Sequence, residues 1–285
     1  MTILVFGRTG QVATELARRA PEAICLARER ADLEDPEACA AAIAYHSPAA
    51  VINAAAFTAV DRAEAEEPLA IRVNADAPGA MARACAAEGI PMVHLSTDYV
   101  FDGQGTAPFS PDAATGPLGA YGRSKLAGEE AIRDSGAVHV ILRTAWVFSA
   151  HGGNFLKTML RLSETRDALS IVDDQIGGPT PAGDIAAACL TIAARLRDDP
   201  ALGGTYHFTG APDVSWKGFA EAIFAAAGRE VTVTGIPTAD YPTPAARPLN
   251  SRLDCRSTEA AFRLARPDWR AALPRILEEL GVSTP

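Results

Sequence analysis

The sequence predicts an α/β fold: a doubly wound parallel sheet in residues 1–150, joined to a smaller C-terminal α/β substrate lobe in residues 151–285 that interleaves with it. Three observations carry this expectation. Short apolar or β-branched runs recur with helical stretches between them, the alternation that builds parallel βαβ units. The runs show little in/out alternation, so helices are expected on both faces of the sheet. After about residue 150 the texture shifts to Pro- and Gly-rich segments, "DDQIGGPTPAG" and "GIPTADYPTPAARPLN", with no flexible linker at the join.

The first run, "TILVF" at 2–6, passes straight into "GRTGQVA" and the helical pattern "QVATELARRA". Gly7 and Gly10, with small Ala13 three positions on, permit a tight turn, close backbone approach to a phosphate and close helix–strand packing. Exposed N–H groups and the helix dipole favour an anion there. This is where a dinucleotide pyrophosphate would sit in a Rossmann domain, although a plain strand–turn–helix looks similar. The second run, "AICLA" at 23–27, ends at Arg28. An acid at that place would bond a ribose 2′-hydroxyl, whereas an arginine accommodates a 2′-phosphate. With Arg8 in the glycine loop, Arg28 leans toward NADP(H) over NAD(H), unless both arginines are simply solvated. Asp32 is better placed for the adenine edge.

Residues 36–46 are Ala-rich with apolar positions at helical spacing, and the third run, "AVIN" at 50–53, follows them. Its continuation, "VINAAAFTAVDRAE", offers small Ala54, Ala55 and Ala56, which let a nucleotide lie against the backbone or let helices pack tightly. A second helical pattern at 76–89 leads to the fourth run, "PMVHLS" at 91–96, and to "STDYVFDG". Ligands in open α/β sheets bind outside the carboxyl ends of the strands, so Thr97 either projects a hydroxyl into the crevice or caps the strand. Next comes "GAYGRSKLAGEE" at 119–130, where Tyr121 and Lys125 share one helix face. By itself this pair is as compatible with a half-exposed helix as with proton transfer. A fifth run, "VHVILR" at 138–143, completes the first domain, and helical patterns at 182–197 and 215–227 populate the second lobe.

Bulk properties exclude several function classes. The 285 residues are 48% apolar, enough for a sizeable core, and disorder is not expected. With 26 basic and 35 acidic residues the net charge is −9 and no basic stripe appears, so a phosphate-backbone partner would meet repulsion and nucleic acid is excluded. Cys25, Cys39, Cys85, Cys189 and Cys255 lack any C-x-x-C or zinc spacing and read as reduced structural thiols. "MTILVF" is too short for a signal peptide or a membrane span, so no membrane partner is expected and the cytoplasm is the working compartment.

Thr97, Tyr121 and Lys125 together form the Ser/Thr, Tyr-x-x-x-Lys set of the short-chain dehydrogenases/reductases. Over essentially its whole length the chain resembles one extended branch of them, the dTDP-4-dehydrorhamnose reductases. The matching segments are "GRTGQV", "VINAAAFTAVDRAE", "STDYVFDG", "YGRSKLAGE", "ILRTAWVF", "NFLKTMLRL", "DDQIGGPT" and "YPTPAARPLNSRLD". The resemblance implies reduction of the 4-keto group of dTDP-4-dehydro-β-L-rhamnose by a nicotinamide cofactor. It makes Tyr121 the general acid, Lys125 the charge that favours phenolate character and bonds the nicotinamide ribose, and Thr97 the partner of the carbonyl oxygen. It assigns Gly7, Gly10, Gln11 and Val12 to the phosphate turn, Asp32 and Leu33 to the adenine, and Ala55, Ala56 and Thr58 to the rest of the cofactor. Arg28 departs from members with an acid there, so NADPH is expected, with NADH also allowed. Val60, Asp98 and Trp146 match substrate positions, although Trp146 also reads as a core residue; Asn154, Arg247 and Arg252 are candidates for the two phosphates of dTDP. Some members are described with Mg²⁺ at a subunit contact near the position of Glu15. No carboxylate cluster in the sequence defines an octahedral oxygen site, and no metal is predicted. The resemblance also allows a homodimer. Two rivals stay open: an extended short-chain epimerase or dehydratase acting on a sugar nucleotide, and a non-catalytic relative like the regulatory subunit of methionine adenosyltransferase. "STDYVF" supplies Thr97 and Asp98 but lacks the glutamate a dehydratase would pair with its aspartate.

Overall fold

A computed structural model describes residues 2–282. Its centre is a six-stranded parallel sheet. Five strands come from the first half of the chain: β1 (Ile3–Phe6), β2 (Ile24–Leu26), β3 (Ala50–Asn53), β4 (Met92–Thr97) and β5 (His139–Thr144). The sixth is Gly204–His207, and the spatial order is Gly204–His207, β5, β4, β3, β1, β2. The order reverses between β1 and β3, and a crevice opens at such a switch point.

Side chains alternate across the sheet, so successive residues enter different cores. Val5, Ile52, Val93, Val140 and Leu142 pack on α1 (Gln11–Arg19) and on the helix Ala182–Asp198. Leu4, Phe6, Val51, Met92 and Ile141 face α2 (Pro36–His46), which Asp35 caps by accepting from Ala38 N. Between β3 and β4 the chain makes two short helices, α3 (Val60–Ala63) and α4 (Glu67–Ile71). A π-helical turn, Arg72–Asp76, then leads into α5 (Ala77–Glu88). Buried Asn74 in that turn accepts from Phe57 N and donates to Phe57 O and to Ser124 Oγ. The turn is thereby tied to α6 (Ala120–Arg133), which packs on the same side as α5.

A separate core of Phe148, Leu156, Leu169, Phe219, Phe224, Trp269 and Leu277 holds the second lobe together. Segments of the second half of the chain also join the first domain. Ala182–Asp198 returns to cover the main sheet and Gly204–His207 adds its edge strand beside β5, because the apolar face over β1, β3 and β5 needs a second helix. Among the described residues, no helix is long and apolar enough to cross a membrane.

Candidate active site

A cleft of about 810 Å³ lies over the carboxyl ends of β1, β3, β4 and β5. Its floor begins at the glycine turn. Gly7 has φ +113°, and a Cβ there would stand 3.2 Å from Ala13 Cβ and 3.4 Å from the Ala54 carbonyl carbon. Gly10 precedes α1 with no side-chain cap, and a Cβ at Gly10 would meet nothing within 4 Å. An open, uncapped helix start of this kind leaves N–H donors for an anion. The turn therefore fits a dinucleotide pyrophosphate.

Most of the expected site residues line this cleft: Gly7, Gly10, Gln11, Val12, Leu33, Ala55, Ala56, Thr58, Val60, Thr97, Asp98, Tyr121, Lys125 and Trp146. Arg8 and Arg28 line it as well. Arg28 is committed to acids, its Nε donating to Asp32 Oδ2 at 3.0 Å and its Nη2 pairing with Glu34. Asp32 turns toward Arg28 and the Glu34 N–H and does not line the cleft. The Glu34 backbone N–H, with smaller help from Arg28, holds its carboxyl below the usual range against the opposing effect of burial.

Three residues expected at the dTDP end are engaged by protein groups, although the buried Nη1 of Arg247 has no hydrogen-bond partner. Asn154 caps the helix Phe155–Ser163 by accepting from Lys157 N, and its Nδ2 donates to Gln11 Oε1 and Ser149 O. Arg247 pairs with Asp61 at 2.7 Å, and Arg252 folds onto Asn250 Oδ1 at 3.0 Å. None of the three is in the cleft lining. Each satisfies a local donor or acceptor that a motif match does not reveal.

The chemistry concentrates where α6 crosses the end of β4. Ala120 N at the start of α6 donates to Glu64 Oε1 at 2.8 Å, and the helix approaches the backbone of Tyr99 at Gly122 and of Asn74 at Gly128 more closely than any Cβ would allow. This docking sets Tyr121 beside Thr97 and Asp98. Thr97 Oγ1 donates to Asp98 Oδ1 at 3.1 Å and accepts from Tyr99 N. Burial pushes the Tyr121 phenol up to about 12, with Thr97 opposing and Asp98 adding to the rise. Loss of water around the hydroxyl is the largest cause of this rise. Burial likewise raises Asp98 to about 6, against Ser251 and Thr97. It lowers Lys125 to about 8, with Glu129 opposing.

Lys125 is 1% exposed and reaches inward, its Nζ 2.8 Å from the Leu95 carbonyl and 3.0 Å from His94 Nε2. His94 and its neighbour Asn53 were missed by motif reading; the available signal was a polar residue inside each of two apolar strands. Thr144, whose buried Oγ1 has no hydrogen-bond partner, also lines the cleft unforeseen. Trp146, at φ +49°, stacks on Trp216 with ring centroids 3.6 Å apart, so one indole face is packed while the residue still lines the cleft.

The fold does assemble an acidic cluster around Glu15. Glu15, His151 and Glu279 bring one ligand atom each to within 4.8 Å of one another. Sequence spacing could not show this, because the three come from distant segments. Arg18 already pairs with Glu15 and Glu279 and meets His151 Nε2 at 3.1 Å. An imidazole and a resident guanidinium do not match the oxygen-rich octahedron that Mg²⁺ demands.

Comparison with known proteins places the chain in a family. The family described as RmlD substrate binding domain matches residues 1–282. The chain is 43% identical to a dTDP-4-dehydrorhamnose reductase of Sinorhizobium fredii, with 97% of each chain covered. A solved dTDP-4-dehydrorhamnose reductase of Clostridium acetobutylicum superposes with TM-score 0.91 at 34% identity, covering 99% of this chain and all of that one. The Bacillus anthracis dTDP-4-dehydrorhamnose reductase, solved in complex with NADP, gives 0.90 at 31% identity, with 98% and 99% covered.

Proposed function

The chain belongs to the RmlD substrate binding domain family, and on that premise we propose that it reduces the 4-keto group of dTDP-4-dehydro-β-L-rhamnose to give dTDP-β-L-rhamnose, using a nicotinamide cofactor. The observation that carries this reading is the convergence of a half-buried, proton-holding Tyr121 with Thr97 and Lys125 at the end of β4, in one cleft with the glycine turn.

The nicotinamide, when bound, supplies a hydride. Gly7, Gly10, Gln11 and Val12 would hold its pyrophosphate, and Leu33, Ala55, Ala56 and Thr58 would flank the remainder. Thr97 orients the keto oxygen toward Tyr121, and Tyr121 hands its hydroxyl proton to that oxygen as negative charge develops on it. Asp98, Val60 and Trp146 shape the sugar side of the cleft. Arg8 and Arg28 favour NADPH; because Asp32 and Glu34 share the charge of Arg28, NADH is used as well. The reaction is assigned to the cytoplasm, and a homodimer, allowed by the resemblance, is tested by sedimentation. Activity is tested by following NADPH absorbance with the keto-sugar nucleotide generated in situ from dTDP-glucose. Oxidation that depends on the sugar nucleotide supports the assignment, and its absence across the pH range overturns it.

A further inference from the structure

The segment "DDQIGG" at 173–178 contributes nothing to the cleft lining, yet its polar groups converge on one indole. Asp174 accepts from the Thr238 N–H and from its hydroxyl, Oγ1 to Oδ1 being 2.6 Å. A carboxylate can only accept, so the hydroxyl proton is committed to it and Thr238 Oγ1 is left with lone pairs. Gln175 Nε2 donates to that oxygen at 3.0 Å, which turns Gln175 Oε1 the other way, where it accepts from Trp216 Nε1 at 3.1 Å. An indole N–H can only donate, so both ends of the chain agree on the orientation of the buried amide. Asp173 acts on the backbone of the same residue. Its Oδ1 accepts from Ser215 Oγ at 2.5 Å, and Ser215 caps the helix Trp216–Ala226 by accepting from Gly218 N. Ring and backbone of Trp216 are thereby both fixed.

What Trp216 holds is Trp146. The two indoles stack with centroids 3.6 Å apart and planes within 10°. Phe155 lies against Trp216, with centroids 4.6 Å apart. At the edge of the Trp146 ring the Gly177 backbone stands so close that a Cβ there would lie 2.8 Å from Cε2. Trp146 itself has φ +49°, a left-handed conformation that bulky residues rarely adopt and that persists where the surroundings over-determine it. We propose that Trp216 and Gln175 are positioning residues for the sugar end of the cleft: they hold the Trp146 indole as a fixed apolar wall against which the C–H face of a deoxysugar packs.

Core packing alone does not account for the pair. Trp269 is the tryptophan that fills the second-lobe core, 0% exposed, edge-on to Phe219 and donating from Nε1 to Pro212 O. Trp146 stays half-buried and lines the cleft. An indole ordered before the ligand arrives spares binding the loss of rotamer freedom, so the arrangement acts on affinity and leaves proton transfer at Tyr121 untouched. The identity of the ligand rests on the reductase reading; the stack and the hydrogen-bond chain do not.

The test uses the full-length protein and three variants. Stacked indoles give a couplet of opposite-signed bands in ultraviolet circular dichroism, and Trp146 with Trp216 is the one stacked tryptophan pair among the described residues. Trp216→Leu removes the stack, Gln175→Leu takes away the acceptor of the indole N–H, and Trp216→Phe keeps an aromatic face. The couplet should vanish in Trp216→Leu and weaken in Gln175→Leu. KM for the keto-sugar nucleotide should rise about 2- to 10-fold in both, with kcat and the KM for NADPH little changed, and should stay near its starting value in Trp216→Phe. A merely structural role would lower the urea midpoints without this split. Turnover in the unaltered protein, with KM unmoved in the folded Leu variants, overturns the inference and spares the reductase reading. No turnover in the unaltered protein overturns that reading and the sugar wall with it. A couplet that persists in folded Trp216→Leu overturns the pairing irrespective of activity.

Discussion

Tyr121 keeps its proton far above neutral pH because burial, more than any neighbouring charge, sets its ionisation. A phenol in that state is suited to giving a proton to an alkoxide and poorly suited to taking one. Replacing it with Phe removes the donor and leaves the ring, so kcat should fall about 10²–10⁴-fold while KM changes little. Steady-state kinetics check this; a variant with near-normal kcat would remove Tyr121 from the acid role. Arg28 poses a different question, since its guanidinium is exposed and shared between Asp32 and Glu34. In Glu34→Gln one competing charge is gone, and the ratio of kcat/KM for NADPH over NADH should rise several-fold. An unchanged ratio would mean that Arg28 does not meet the 2′-phosphate.

Helix α6 carries the catalytic pair, and it is fixed at three levels. Glu64 takes up its first N–H, Gly122 and Gly128 let it touch neighbouring backbone, and Glu129 binds it to β5 through Arg143. Glu129 is fully buried and accepts from Ser96, Arg133 and Arg143. Burial pushes its carboxyl upward, but the Arg143 hydrogen bond and charge, then Ser96 and Arg133, outweigh it and leave the pKa lowered. A carboxyl lowered on folding stabilises the protein above its unfolded pKa of about 4.3, and that stability drains away as pH falls through and below it. Glu129→Gln strands the Arg143 guanidinium and should cost about 3 kcal/mol at neutral pH, with the deficit shrinking toward acid pH. Urea melts at two pH values measure both; equal stability of the two proteins at neutral pH would show that the pair does not anchor α6. The Tyr–Lys spacing and the glycine turn were readable because helix period and turn chemistry are local. The anchor of α6 was not: Glu129 meets Arg143 and Asn53 meets His94 only through strand register and helix docking, which no local pattern encodes. For the same reason the capping bond of Asn154 to Lys157 N was not readable from a motif match.

At the scale of the molecule the lobes share one chain in alternation, and that governs how they unfold. The second lobe has its own core, yet Ala182–Asp198 and Gly204–His207, lying between two of its parts, belong to the main sheet. Asp61 adds a lateral tie, accepting from Ala245 N and pairing with Arg247. Strands and alternating helices made the parallel sheet foreseeable, whereas the return of 182–207 depends on an apolar face being left to cover. Interleaved units cannot melt one at a time without exposing that face, so a single cooperative transition is expected. The chain's three tryptophans make this measurable. Trp216 and Trp269 pack in or against the second-lobe core and Trp146 stacks on Trp216, so fluorescence follows that lobe while far-ultraviolet circular dichroism follows both. The two probes should give coincident urea midpoints. NADPH at about 100 times its Kd should raise both together, by about 2.7 kcal/mol of stability, even though the glycine turn lies in the other lobe. A fluorescence transition that precedes the circular dichroism transition, or that ignores NADPH while the other moves, would show the second lobe folding as an independent unit.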